Sequence, residues 1–250
     1  MAAPGEISAK VKVRAAWLAV AACCCGAFCA LSTPVPAQQA AVTAQVEMTA
    51  AKPAADAANV VVWLTPLDPA AATVAAKAAT SPATRLVQRN KTFEPHLLVV
   101  TVGTAVEFPN QDPFLHNVFS LFDGKRFDLG FYEAGASRTV RFDRPGASFL
   151  FCNIHPEMSA VVVAVPTRYF GVSDRAGRVI IANVPDGRYR MEVWSERSLP
   201  ESLKGLERTV TISGSERALP AIQIAENPSF TANHKNKFGQ DYVPPAGSSY

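Results

Sequence analysis

Between residues 84 and 165 the chain repeats one pattern: a short run of β-branched and aromatic residues, then Gly, Pro, Asn or Asp. The runs are LLVVTV (97–102), AVEF (105–108), NVFSLF (117–122), RTVRF (138–142), SFLFC (148–152) and SAVVVAV (159–165). In RTVRF, Val140 and Phe142 face one way and Arg141 the other, the two-residue period of a half-buried strand. Strands this short and evenly spaced predict an antiparallel β-sandwich rather than a helical or βαβ fold. An uninterrupted apolar run, NVVVWL (59–64), predicts a further buried strand ahead of them. The Ala-rich stretch at 69–82 predicts a short surface helix or a loose insertion. After Pro166 come further strand patterns at 169–173, 178–184, 188–195, 208–212 and 218–225, with Pro185-Asp186-Gly187 as a turn. The third of these places Tyr189, Met191 and Val193 inward and Arg188, Arg190 and Glu192 outward. The expected class is therefore all-β: a sandwich over 59–165 and a second small sandwich over 166–225. Residues 38–58, rich in Ala, Gln and Thr, are expected to be a flexible linker, and 226–250 an irregular tail.

The first 37 residues alter the accounting. Lys10, Lys12 and Arg14 precede an apolar run at 15–31, followed by Val35-Pro36-Ala37, the features of a cleaved secretory signal peptide. Cleavage implies export to the periplasm and leaves no membrane span; a retained anchor, or a lipid anchor at Cys23 within Val20-Ala21-Ala22-Cys23, are the alternatives. The remaining chain holds 21 basic and 20 acidic side chains, a near-neutral balance that argues against nucleic acid as a partner. Four of the five cysteines lie in the leader, so Cys152 remains as a lone thiol that cannot form an internal disulfide. In an oxidising compartment such a thiol needs burial, a partner chain or a metal.

Cys152-Asn153-Ile154-His155-Pro156-Glu157-Met158 joins one strand pattern to the next. A thiolate, an imidazole and a thioether are thus offered from one tight loop. Soft sulfur with imidazole selects copper, and two His, one Cys and a weak axial Met is the blue-copper set. His116, where a turn feeds the NVFSLF strand, supplies the second imidazole. These residues carry a resemblance. Cys-x-x-His-x-x-Met, preceded by His116-Asn117 and by Phe93, Pro95, Val100, Gly103, Thr104, Val106, Phe108 and Asn110, resembles the plastocyanin/azurin family of cupredoxins. The ligand loop is similar in length to that of amicyanin, including the His155-Pro156 step, and the whole chain is similar to methylamine-utilisation-like bacterial proteins. The resemblance implies a cupredoxin Greek-key sandwich. It implies one mononuclear type 1 copper per chain, with His116, Cys152, His155 and Met158 as ligands. It also implies that Asn117 ties the two ligand-bearing loops together by hydrogen bonds.

The second module, around Gly177 to Tyr189, resembles the carboxypeptidase regulatory-like β domain. It is expected to be a structural or docking appendage, with sugar binding through Trp194 or Tyr189 as the other reading. His96 and His234 are expected to stand apart from the metal. A Cys/His hydrolase is disfavoured because the loop supplies no separate group to orient the imidazole, and zinc because Met is a poor ligand for it. The function expected is non-enzymatic: a periplasmic carrier of single electrons between redox protein partners. The alternative is a cell-envelope copper-handling protein whose second module docks to a partner or glycan.

Overall fold

The computed structural model describes residues 41–49, 56–69, 84–121, 124–230 and 234–242. The leader and nearly all of the Ala-rich stretch fall outside the described residues. The regular secondary structure among the described residues is nearly all β-strand, as the apolar runs predict, with one short helix, α1 (Pro200–Lys204).

SAVVVAV shows how sequence becomes architecture here. It forms β12 (Ser159–Val165), in which every residue after Ser159 is buried. Ala160, Val162 and Ala164 enter one apolar cluster, while Val161, Val163 and Val165 enter another on the opposite face. A strand covered on both faces has no reason to alternate, so its sequence is apolar throughout. Burying each valine is worth roughly 1.5–3 kcal/mol before chain entropy is charged against it.

β12 is the second strand of a five-stranded sheet in the order β6 (Leu97–Thr101), β12, β11 (Gly146–Phe151), β8 (His116–Ser120), β9 (Phe127–Tyr132). A second sheet holds β10 (Ser137–Phe142), β7 (Thr104–Pro109) and β3 (Thr84–Arg85), and a hairpin joins β4 (Val87–Arg89) to β5 (Thr92–Glu94). Between these elements lies the cluster that includes Phe93, Phe108, Val118, Phe142, Leu150, Cys152 and Met158.

The second module is also a two-sheet sandwich. One sheet runs β13 (Phe170–Val172), β2 (Val61–Pro66), β15 (Gly187–Trp194), β16 (Arg208–Ile212). The other runs β14 (Arg178–Ile181), β1 (Val42–Thr49), β17 (Ile222–Ala225). β15 buries Tyr189, Met191 and Val193, as its alternation predicts.

Two expectations need correction. Residues 38–58 are not a linker throughout, because Val42–Thr49 is β1, with Val42, Ala44 and Val46 buried and the residues between them exposed. Its period of two was masked by Ala, Gln and Thr. Gly177, at φ +78°, lies so close to this strand that an added Cβ would meet the Val46 carbonyl oxygen at 2.1 Å. Second, β2 pairs with β13 and β15, so NVVVWL belongs to the second module and not to the first sandwich. The second module is thus built from both sides of the first in sequence, which resolves its small apparent size. Antiparallel pairing dominates as expected, but β1/β17, β3/β7 and β6/β12 are parallel.

Val61 and Trp63 of β2, with Trp194 and Phe170, pack against Val161, Val163, Val99 and Phe149, joining the outer faces of the two sandwiches.

Candidate metal centre

Cys152 follows β11, and the next strand pair closes immediately, with Phe151 opposite Ser159. The intervening loop is held inside itself: the Cys152 N–H donates to the Met158 carbonyl (3.3 Å) and the Met158 N–H to the His155 carbonyl (3.1 Å). His155 stands at the tip, partly exposed. His116 is the first residue of β8, a strand buried along its whole length, and pairs with Tyr132 of β9.

These elements bring three of the four predicted donors together. Cys152 Sγ lies 3.8 Å from His116 Nδ1 and 3.6 Å from His155 Nδ1, and the two Nδ1 atoms are 3.1 Å apart. Cys152 and His116 are both 0% exposed. Met158 is equally buried, in the same apolar cluster as Cys152. The Phe114 ring sits 5.2 Å from the His116 ring and 5.6 Å from that of His155, capping the pair.

Burial pushes the Cys152 thiol up, while the N–H groups of Asn117, Ile154 and His155 oppose that shift by hydrogen bonding to the sulfur. Those three donors are ready-made support for a thiolate. Burial, then the neighbouring His116, holds His155 below the ordinary histidine value. Two imidazole nitrogens and a sulfur in mutual contact therefore present lone pairs to one largely enclosed point. That is the donor chemistry a copper ion requires, and the residues present fit it.

Asn117 reaches the Cys152 loop through its backbone and not through its side chain. Its backbone N–H reaches the Cys152 sulfur, but its side-chain amide donates to Asp128 Oδ1 (2.8 Å) and the Gly130 carbonyl (3.0 Å), both on β9. A second tie to the Cys152 loop runs through the C-terminal tail. Lys237 Nζ bonds Asp128 Oδ2 (2.9 Å), and the Lys237 N–H donates to Asn153 Oδ1 (3.0 Å). Tyr242 donates its hydroxyl proton to the Cys152 carbonyl, and its oxygen lies 3.2 Å from His234 Nδ1. The His234 ring stacks over Phe151 with centroids 4.1 Å apart. Over its described residues the tail is irregular, as expected, yet it is packed onto the ligand loop. Only the cluster of His, Lys and Tyr in an otherwise Pro-rich tail marked it in the sequence.

A second residue that sequence reasoning passed over is Asp112, whose Oδ2 lies 2.7 Å from His116 Nε2. Burial pushes its carboxyl up, but hydrogen bonds from the Lys91 N–H, His116 and the Asn90 N–H outweigh that and hold it below the usual range. Cys152, His116 and Asp112 thus stand in the order thiol, imidazole, carboxylate, so the separate orienting group thought missing is present. A hydrolase is still a poor reading, because a nucleophile must meet its substrate and this sulfur is wholly buried with its thiol pushed up.

His96 and His234 lie outside the cluster. His96 Nε2 is 2.7 Å from Glu196 Oε2. Tyr189 is 0% exposed and so is not presented to a sugar, while the half-buried Trp194 packs on Phe149 (6.3 Å) between the modules. Among the described residues no helix is long and apolar enough to cross a membrane.

Comparison with known proteins finds likeness among solved structures. A purple cupredoxin from Nitrosopumilus maritimus is 22% identical over 33% of this chain and 99% of its own, with a TM-score of 0.31. A reduced tryptophan-to-tyrosine variant of amicyanin is 22% identical over 36% of this chain and 90% of its own, TM-score 0.32. A copper-containing nitrite reductase from Thermus scotoductus is 24% identical over 40% of this chain and only 27% of its own, TM-score 0.33. No family model and no curated protein matches the chain. The likeness covers part of the chain at low identity, and the chemistry of the site rests on its own geometry.

Proposed function

We propose that this chain is an exported, non-enzymatic carrier of single electrons, built on one mononuclear type 1 copper ion held by His116, Cys152, His155 and Met158. The observation that carries the reading is the buried triangle of Cys152 Sγ and the two histidine Nδ1 atoms, 3.1 to 3.8 Å on its sides. Copper, when bound, supplies a one-electron couple. The protein's part is to hold soft and imidazole donors rigidly on paired strands, so that little moves when the charge changes. The other described histidines are engaged with Glu196 and with Tyr242, which leaves no additional imidazole to open a substrate-binding position.

The partly exposed His155 ring lies 5.6 Å from that of Phe114 (37% exposed), and their chain neighbours Leu115 (47%) and Ile154 (45%) are exposed as well. An apolar rim of this size suits a brief encounter with a redox protein of the periplasm, since electron-transfer contacts are small. The existence of a second module favours the other reading, a copper-handling protein held in the envelope through that module.

The test is the visible spectrum of the exported protein after addition of copper(II), with Cys152→Ser alongside. The expected result is an intense thiolate-to-copper charge-transfer band that the substitution abolishes, with a reversible voltammogram. A colourless protein would sink the copper reading, and a coloured protein that exchanges metal without redox cycling would transfer it to copper handling.

A further inference from the structure

The geometry points to Asp112 as the charged positioning residue of the metal centre, a role that rests on the copper reading above. His116 uses its two ring nitrogens differently. Nδ1 faces Cys152 Sγ and His155 Nδ1, while Nε2 lies 2.7 Å from Asp112 Oδ2. A carboxylate can only accept, so Nε2 carries the proton and Nδ1 keeps its lone pair turned toward the donor cluster. The carboxylate thereby fixes both the tautomer and the rotation of a ring that sits at the start of β8.

Asp112 is itself held from two directions. Its Oδ1 accepts the Asn90 N–H at 2.6 Å and its Oδ2 the Lys91 N–H at 2.9 Å. Asn90 and Lys91 form the two-residue turn between β4 and β5, at φ +52° and +55°. Such a turn is the ordinary answer to right-twisted hairpin strands, and here it aims two successive N–H groups at one carboxylate, a small anion-holding nest. From the other side, Asn110 Oδ1 accepts the Asp112 N–H (3.0 Å), and its amide donates to the carbonyls of Phe114 (2.8 Å) and Tyr132 (3.3 Å). The loop leading into His116 is thus pinned to β9 before the ligand begins.

Asp112 is 5% exposed and His116 0%. A buried carboxylate is costly unless its surroundings repay it. Two backbone N–H groups and an imidazole N–H do so in part, and a cation bound at Nδ1 would add to them. The anion lies on the far side of the ring from the donor cluster, so it favours the more highly charged metal state. It therefore lowers the reduction potential of the centre, and it does so through His116 without touching the metal.

Asp112→Asn retains the shape and removes the charge. The experiment measures the midpoint potential of copper-loaded wild type and D112N, and nitrogen-15 spectra of His116 in both metal-free proteins. The expected result is a D112N protein that keeps the visible band but has a raised midpoint potential. In the metal-free wild type, His116 is expected to be protonated at Nε2, with a deshielded, slowly exchanging proton that D112N loses. An unchanged potential in D112N, or a wild-type His116 protonated at Nδ1, would overturn the assignment. Should D112N fail to fold or to hold copper, the wild-type spectrum decides alone. Failure of the parent reading is seen separately, as a wild type without the visible band whose metal-free His116 still shows the Nε2 proton.

Discussion

Asn117 separates what the ligand spacing could reveal from what it could not. Its backbone N–H supports the Cys152 sulfur, while its side chain serves β9. Truncation to alanine therefore leaves the sulfur contact in place and strips two hydrogen bonds from Asp128 and Gly130. Asn117→Ala is expected to lower unfolding free energy by about 1–3 kcal/mol, the usual cost of orphaning buried polar groups, with the visible band of the copper protein unmoved. Urea unfolding beside an absorption spectrum checks both halves; a displaced band with unchanged stability would restore the side chain to the role that the cupredoxin resemblance implied. The meeting of Cys152 with His155 was legible because both stand in one tight loop, where chain spacing alone brings them together. Asp112 was not, because its partners include the β4–β5 turn, about twenty residues upstream by sequence and adjacent only after folding.

At the scale of elements, the runs that read as strands without alternation proved to be those buried on two faces. β12 and β2 each send one set of side chains into their own sandwich and the other into the seam between modules. β1 escaped notice for the opposite reason: its alternation is real, but small and polar residues dilute it until only pairing with β14 and β17 makes it a strand. The tail escaped because no period marks a segment that binds by individual side chains. Ending the chain after Phe230 removes His234, Lys237 and Tyr242, and with them every described tail contact to Cys152, Asn153 and Asp128. Both cores remain, so the truncated protein is expected to fold and to take up copper. Its ligand loop is expected to loosen, seen as faster amide exchange at Ile154 and His155 and faster loss of copper to a chelator. Exchange rates equal to those of the full chain would reduce the tail to an ornament of the surface.

Across the whole molecule, the seam between modules is apolar at its centre, with Trp63, Phe149 and Trp194, and ionic at one edge. There His96, just ahead of β6, places Nδ1 3.1 Å from the Ser159 carbonyl and Nε2 2.7 Å from Glu196 Oε2, past the end of β15. The pair thus joins the second module to the first residue of β12, directly after the ligand loop. The hydrogen bond that Glu196 accepts raises the His96 pKa above its ordinary 6.5, against the opposing pull of burial. A histidine whose folded value is raised stabilises the fold fully below its unfolded value, and that contribution is lost as pH rises through the folded one. His96 is 43% exposed at its side chain, so the pair contributes less than about 1 kcal/mol. Replacing it, as in His96→Gln, is therefore expected to lower the urea midpoint at pH 5.5 and to leave it nearly equal to wild type at pH 9. A difference between the two proteins that stays constant across that range would show that His96 acts at the seam by packing and hydrogen bonding alone, with no share from its charge.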